Sequence, residues 1–506
     1  MTTGKSASTR NKLYDYQRRD LDKLFTAISD CTGPCRLLYQ LPTGGGKTVI
    51  FSEIAKKFIR DTGKKVIILT HRVELCRQTS ATLQAAGIRN KIINSSVKTI
   101  RRTDAPCFVA MVETLKNRIE EGQFDPRTIG LVIIDEAHHN AFQKLMTAFD
   151  DAIIIGVTAT PLSSDPDFPM RDSYERLITG EPINALIQGG YLATPKTWRY
   201  DVELNTLQTG AGGDFTITTS DELYSSPAML ELLLQAYEAN AKNKKTLIFN
   251  NGIFTSRNVC EYFKNAGYPI RHLDNSTSAT EREEILLWLK KTKNAILTSV
   301  SILTTGFDEP SIQAVILNRA TTSLTLFHQM IGRGSRRLPN KKTFTIIDLG
   351  NNIERFGEWQ APVDWQYIFD KPEEFTEKMN SQLNQDVHQL PSDLRSKFPN
   401  TLELSFDVQE EFRKVTDAGQ KPINVLRDSI RQHAVMCVEN ADTVADALAL
   451  AKELEKEIDW RVKQYTKCLG SVTRNYREWL QADYRDRLHT LIPKLQMKWQ
   501  SQPKVA

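Results

Sequence analysis

Two short stretches bring together residue types that can hold and hydrolyse a nucleoside triphosphate. The first is LPTGGGKT at 41–48, which follows an apolar run and opens a segment of helical spacing. A phosphate-binding loop needs that setting. Glycines let backbone N–H groups turn inward around phosphate oxygens, and the helix N-terminus adds partial positive charge. Thr43, Gly44, Gly45, Gly46, Lys47 and Thr48 are the candidate contacts. Lys47 would reach the β- and γ-phosphates, and the Thr48 hydroxyl would ligate Mg²⁺. The general pattern has Gly five residues before Gly46, where this chain has Leu41. The second stretch, IIDEAH at 133–138, ends another apolar run, and its Asp135 comes 88 residues after Lys47. Carboxylates at the tip of a parallel strand project into the crevice where such sheets bind ligands. Asp135 would hold Mg²⁺, and Glu136 would position and deprotonate the attacking water. ATP and Mg²⁺ are thus the expected small-molecule partners. His138 fits a role coupling this site to neighbouring elements better than metal ligation, which a lone histidine seldom performs.

The elements that would position these residues alternate in the manner that builds a parallel sheet. Short apolar runs at 36–41, 66–70, 107–111, 131–135 and 153–157 predict strands. Their continuous apolar character is expected when helices cover both faces of the sheet. Helical spacing over 48–60 and 73–86 lies between them. From 189 to 226 the rhythm fails: Gly, Thr and Asp dominate, with GAGGD at 210–214, and a linker or a loop with a short hairpin is predicted. Ser226 then precedes Pro227, a favoured cap and first helical residue, and a helix to about 240 follows. A second series has strands predicted at 246–250, 295–299, 314–318 and 343–348. Beyond about 365 strands stop. Leu450, Leu454, Ile458 and Val462 recur every fourth residue, marking one helical face. The expected organisation is a leader over 1–12, a first α/β domain over 13–188, a linker or insert over 189–226, a second α/β domain over 227–365 and a helical region over 366–506.

Composition bounds the rest. The 506 residues are 40% hydrophobic and 25% charged, ordinary for a globular chain of several domains. No apolar stretch is long enough to span a bilayer, so no membrane role is expected. Seven scattered cysteines predict reduced thiols and a cytoplasmic setting, with Cys31 and Cys35 as small fillers beside a strand. The net charge of +5 hides a basic end: residues 461–506 hold ten Lys/Arg and three Asp/Glu. Tyr465, Tyr476, Trp479, Tyr484 and Trp499 lie among them. Such a mixture suits either nucleic-acid stacking or helix packing against the rest of the chain.

At this point the chain resembles the DEAH/DExH-type helicases of superfamily 2, over about residues 12–360 and in the family's motif order. YDYQ at 14–17 is similar to the Q element, in which Gln17 would read adenine. THRVEL at 70–75 resembles motif Ia and VETL at 112–115 motif Ib, placing Arg72 and Thr114 near nucleic acid. TATP at 158–161 resembles motif III, whose Thr158 and Thr160 hydroxyls link hydrolysis to movement. LIFNNGIFTS at 247–256 sits where motif IV belongs. TTGFDEP at 304–310 is similar to motif V, with Gly306 and Asp308 toward nucleotide and Thr304 or Thr305 toward nucleic acid. QMIGRGSR at 329–336 resembles motif VI. Its i, i+4, i+7 spacing predicts Gln329, Arg333 and Arg336 on one helical face, with Gln329 near nucleotide and both arginines reaching the γ-phosphate as arginine fingers. The resemblance implies two tandem RecA-like, doubly wound parallel-sheet domains followed by a mostly helical region.

In wording, GYLATPK at 190–196, TTGFDEP, QMIGRGSR and TIIDLGNN at 345–352 are most similar to RadD-type bacterial repair helicases and restriction-enzyme motor subunits. The zinc segment that follows the motor in RadD-type proteins is not carried over, because only Cys437 and Cys468 lie there. The resemblance implies an ATP-dependent DNA helicase or translocase in repair or recombination, acting on single-stranded, forked or duplex DNA. Protein partners would use the C-terminal region. A double-strand translocase of a restriction or defence system is the alternative. An RNA helicase or an ATP-gated scaffold with negligible turnover would fit less well.

Overall fold

The computed structural model describes residues 13–97, 104–165, 167–204, 206–210, 213–300, 303, 307, 309–386, 392–401, 406–417, 419–469 and 472–500. Two compact units divide the chain near residue 381.

The first unit holds two all-parallel sheets. The first sheet comprises β1 (Arg36–Gln40), β2 (Lys65–Thr70), β3 (Asn90–Ile93), β4 (Cys107–Met111), β5 (Ile129–Asp135), β6 (Ile153–Thr158) and β7 (Arg176–Thr179), in the order β3-β4-β2-β5-β6-β1-β7. The second comprises β8 (Thr194–Arg199), β9 (Thr246–Asn250), β10 (Ile270–Leu273), β11 (Ile296–Ser299), β12 (Ala314–Asn318) and β13 (Thr343–Asp348), in the order β10-β11-β9-β12-β13-β8. Every residue of β5, β9 and β12 is buried, as continuous apolar runs between two helical layers require. The helix Pro227–Asn240 starts as its residues dictate, with Ser226 Oγ accepting from Met229 N–H at 3.4 Å and Pro227 in the first turn.

Three local expectations are corrected. The stretch 189–226, expected as a linker, contains β8, which pairs with β13 from Thr194↔Thr343 to Arg199↔Asp348, and a helix Ile217–Tyr224. The expected hairpin there is a single bridge, Thr209↔Phe215. Cys31 and Cys35, expected as free thiols, form a disulfide, because the turn between them brings their Cα atoms to 6.2 Å, within bridging range. The predicted single face through Leu450, Leu454, Ile458 and Val462 is divided between the helices Val444–Glu453 and Glu455–Cys468, with Leu454 capping the first.

The second unit is helical, and its core gathers Leu454, Ile458, Val462, Leu480, Leu488 and Ile492. This core favours packing over stacking for part of the basic end. Tyr465 and Tyr484 are buried in it, and Arg461 is wholly buried, donating to Glu457 Oε1 at 2.7 Å, Gln432 Oε1 at 2.7 Å and Ser429 Oγ at 3.0 Å. Only Tyr476 and Trp479 of the named aromatics are exposed, stacked at 5.9 Å, and Trp499 has no described side chain. Among the described residues no helix is long and apolar enough to cross a membrane.

Candidate active site

The site forms where strands of the first sheet end. β1 runs into the 41–46 loop, which opens the helix Lys47–Thr62. Gly44 (φ 92°) and Gly46 (φ 84°) take left-handed backbone that glycine adopts at little steric cost. Space demands glycine too. A Cβ on Gly44 would stand 2.8 Å from Ser335 Oγ, and one on Gly46 2.8 Å from Gln17 Nε2. Tyr16 OH donates to Gly45 O at 2.7 Å, and Lys47 Nζ to Leu41 O at 3.4 Å. Gln17 is buried beside this loop, its Oε1 accepting from Tyr14 N–H at 3.0 Å. Tyr14 and Tyr16 both pack on Tyr191, with ring centroids 4.7 and 4.8 Å away. Thr48 lies in the first turn of the helix, and Thr43 faces the second sheet.

β5 ends in buried Asp135, and Glu136 follows with φ 53°, an uncommon value for a residue with a side chain. Asp135 Oδ1 accepts from Glu136 N–H at 3.1 Å. Burial, with the Glu136 charge added, pushes the Asp135 carboxyl up to about 7. Burial would raise Glu136 as well, but Lys47 first, then His138 and Arg333, hold it below its usual range. Burial lowers the Lys47 ammonium against the opposing pull of Glu136 and Asp135. Two carboxyls beside one desolvated ammonium form a donor set that a divalent cation would relieve, so the chemistry at Asp135 fits such an ion.

The second sheet supplies the opposite wall. After β12 comes the helix Leu324–Gly332, capped by Ser323 Oγ. This corrects the expected run through Arg336. The helix ends at Gly332, Arg333 is its C-cap, and Ser335 N–H turns back to Gly332 O at 3.3 Å. Arg336 lies beyond, bridging to Leu192. The cause is crowding that excludes side chains. A Cβ on Gly332 would stand 2.6 Å from Thr43 Cβ, and one on Gly334 2.5 Å from Phe344 Cδ2, and glycine is a poor helix former. Arg336 Nη1 still donates to Gly44 O at 3.1 Å, Arg333 donates to Phe307 O, and the charge of each depresses Lys47. The arginines of the second sheet and the phosphate loop of the first therefore share one cleft.

Two polar bridges cross the same cleft. Gln329 Nε2 lies 3.2 Å from His138 Nε2, and His138 Nδ1 3.0 Å from Thr158 Oγ1. Burial lowers the His138 imidazole to about 3, so it is neutral. An amide nitrogen can only donate, so Nε2 of His138 accepts and Nδ1–H donates to Thr158. The Thr158 hydroxyl donates in turn to Thr160 O at 2.8 Å, and Thr160 Oγ1 donates to Thr325 Oγ1 at 2.9 Å. Gln329, expected at nucleotide, thus bonds the histidine of the carboxylate strand.

On the neighbouring strand ends, Arg72 follows β2 at the start of the helix Val73–Ala85, and Thr114 lies in the first turn of the helix Val112–Glu120 after β4. Thr304, Thr305, Gly306 and Asp308 lie outside the described residues. Sequence reasoning missed Tyr16, Tyr191, Ser335 and Thr325. Tyr16, Tyr191 and Ser335 stand inside the quoted segments at 14–17, 190–196 and 329–336, and Thr325 stands four residues before Gln329 and hence one helical turn away.

Residues 10–163 match the family described as type III restriction enzyme, res subunit, and residues 228–337 match the helicase conserved C-terminal domain. The chain is a superfamily 2 helicase. This helicase is 29% identical over 357 residues to the putative ATP-dependent helicase IRC3 of Saccharomyces cerevisiae, covering 66% of the present chain and 51% of IRC3. It is 27% identical over 430 residues to the putative mitochondrial ATP-dependent helicase irc3 of Schizosaccharomyces pombe, covering 80% and 69% of the two chains. It thus spans about half the length of the first relative. Its fold matches a fragment of a putative HsdR subunit of a type I restriction enzyme from Vibrio vulnificus YJ016, with a TM-score of 0.56 at 22% identity over 68% of this chain and 65% of that one. The helicase is an ATP-dependent enzyme that binds nucleic acid.

Proposed function

We propose that this helicase couples ATP hydrolysis, in the cleft between its two sheets, to movement along DNA or its unwinding, in repair or recombination. The observation that carries the reading is the contact of Arg336 Nη1 with Gly44 O at 3.1 Å. It sets a cation of the second sheet against the phosphate loop of the first. Lys47, desolvated in the cleft, is offered to the phosphates. Glu136, held ionised, takes the proton of the attacking water. Arg333 and Arg336 meet charge that develops on the transferred phosphoryl group. Asp135 and Thr48 would hold Mg²⁺, which neutralises phosphate charge when bound. Arg72 and Thr114, with Thr304 or Thr305 in the second domain, are the proposed nucleic-acid contacts, and Gly306 and Asp308 are proposed to face the nucleotide. Bound across both domains, nucleic acid would be gripped in alternation as the cleft closes and opens.

DNA is favoured by the match to a restriction-enzyme family and by the likeness to a restriction-enzyme subunit. Phosphate release measured with single-stranded DNA, duplex DNA, forked DNA and RNA tests the reading. Strongest stimulation by RNA, or none by any of the four, refutes it. The same matches favour a second reading, a duplex translocase of a restriction or defence system. Triplex displacement without strand separation would select it.

A further inference from the structure

Next to the Glu136 carboxylate lies a cluster that the mechanism above leaves unused. His71 follows the last residue of β2 and precedes Arg72, and His139 follows His138. The His71 and His139 rings are 4.4 Å apart between centroids, and the His139 and His138 rings 4.3 Å. Both ring nitrogens of His71, Nε2 of His139 and Oε2 of Glu136 are buried, and none has a hydrogen-bond partner among the described residues. Glu136 Oε2 lies 3.5 Å from His138 Nδ1, which is already committed to Thr158.

Burying unpaired polar atoms is unfavourable, and native structures avoid it except where function needs it. A packing role alone would be served by apolar rings without that penalty. A metal site is not the explanation, since no group of three His, Cys, Asp or Glu among the described residues could hold an ion. Burial keeps both rings neutral, His71 lowered to about 4 and His139 lowered in the same direction, and the Glu136 charge is felt at each. A neutral imidazole has one N–H to give, and the unpaired carboxylate oxygen is an acceptor. His139 N–H of the backbone already bonds Glu136 O at 3.1 Å, so His139 and Glu136 share one tight turn.

We infer that His71 and His139 are positioning residues linking nucleic acid at the Arg72 loop to Glu136, with the His139 ring donating to Glu136 Oε2 once that loop shifts. The inference rests on the proposed roles of Arg72 and Glu136. Nucleic acid that draws on Arg72 moves the adjacent His71, whose ring bears on His139. His139 then fixes the carboxylate toward water. Hydrolysis becomes dependent on an occupied track through two rings, with no contact between nucleic acid and the reacting atoms.

The test uses the full chain and compares His139→Asn, which keeps an N–H donor, with His139→Phe, which keeps the ring, alongside His71→Ala. ATP half-saturation, affinity for single-stranded DNA against salt, and turnover with and without that DNA are measured. His139→Phe and His71→Ala should lower stimulated kcat about tenfold or more, with ATP half-saturation, DNA affinity and its salt slope within about twofold. His139→Asn should recover at least a third of wild-type stimulation. The inference is overturned by full stimulation in His139→Phe, by equal loss in His139→Asn and His139→Phe, or by DNA affinity falling in step with turnover. Glu136→Gln is run beside them. If it hydrolyses normally, the role of Glu136 fails. If it is inactive while both His139 variants are stimulated normally, the inference alone fails.

Discussion

Gly332→Ala perturbs the junction between the two sheets while removing no polar group. The added methyl would sit 2.6 Å from Thr43 Cβ and 2.7 Å from Thr43 Cγ2, where ordinary contact begins at 3.4 Å. Both neighbours belong to a short, branched side chain that cannot swing clear, so the second sheet must retreat from the phosphate loop by about 1 Å. A misplacement of that size in an assembled site lowers rate on the order of 10²-fold, about 2.7 kcal/mol of transition-state stabilisation. Stability should hardly change. Gly332 is the last residue of its helix, and alanine is the better helix former by at most about 1 kcal/mol. The contrast is Gly334→Ala, whose methyl would meet Phe344 and Val315 inside its own domain. That variant should lose about 1–3 kcal/mol by overpacking. Nucleic-acid-stimulated phosphate release, equilibrium ATP binding and thermal unfolding on both variants decide the matter. Gly332→Ala turning over within threefold of wild type, or unfolding as readily as Gly334→Ala, would refute the reasoning.

Glu136→Gln should bind ATP yet hydrolyse it roughly 10²–10⁴-fold more slowly, in single-turnover assays; lost ATP binding with normal chemistry would assign the side chain another role. Arg333→Lys keeps charge but loses the planar fork, so stimulated hydrolysis should drop about 10²-fold with ATP and DNA affinity retained; normal turnover with weaker DNA binding would contradict it. His328 is buried between Phe327 and Trp365, and burial lowers it to about 4 from an unfolded value of 6.5. Its neutral form stabilises the fold fully above pH 6.5, and this contribution, about 3 kcal/mol, is lost as pH falls toward 4; unfolding of His328→Gln should be correspondingly less acid-sensitive, and parallel pH profiles would exclude the effect. Arg461→Ala would strand the Glu457 carboxylate and should destabilise the C-terminal unit by about 3–5 kcal/mol, read by thermal unfolding; a change under 1 kcal/mol would mean that water replaces the guanidinium.

Which strands were legible follows from their place in the sheet. β1, β2, β4, β5, β6, β9, β11, β12 and β13 were all foreseen, and each has a neighbour on both sides. The four that were not foreseen, β3, β7, β8 and β10, are the four sheet edges. An edge strand is only partly covered, so its residues need not be apolar. β8 reads TPKTWR with no residue buried, and its Pro195 is tolerated because an edge has a free side. The turn at 41–46 into a helix and the strand ending at Asp135 were legible because each is a continuous segment with its own local pattern. The Tyr14–Tyr16–Tyr191 cluster was not, since Tyr191 is 175 residues from Tyr16 and no local pattern links them. Motif VI was legible in its residues and misleading in its shape. Spacing predicted a helix through Arg336, whereas the approach of Thr43 and Phe344 admits only glycine at 332 and 334.

That segment nonetheless meets the first sheet along one line. Thr325 bonds Thr160, Gln329 bonds His138, Gly332 abuts Thr43 and Arg336 bonds Gly44. The steps of four, three and four residues are those of a helical stripe, and the turn after Gly332 carries the stripe on to Arg336. Four contacts on one stripe form or break together, because any rotation of the segment displaces them all. The four partners on the first sheet are the motif III hydroxyl, the histidine of the carboxylate strand and two residues of the phosphate loop. Closure of one surface therefore reports at once on the 41–46 loop and on the carboxylate strand. A cleft joined by scattered contacts could loosen piecemeal. One joined by a single stripe behaves as a two-state element, which is what alternating grip on a track requires.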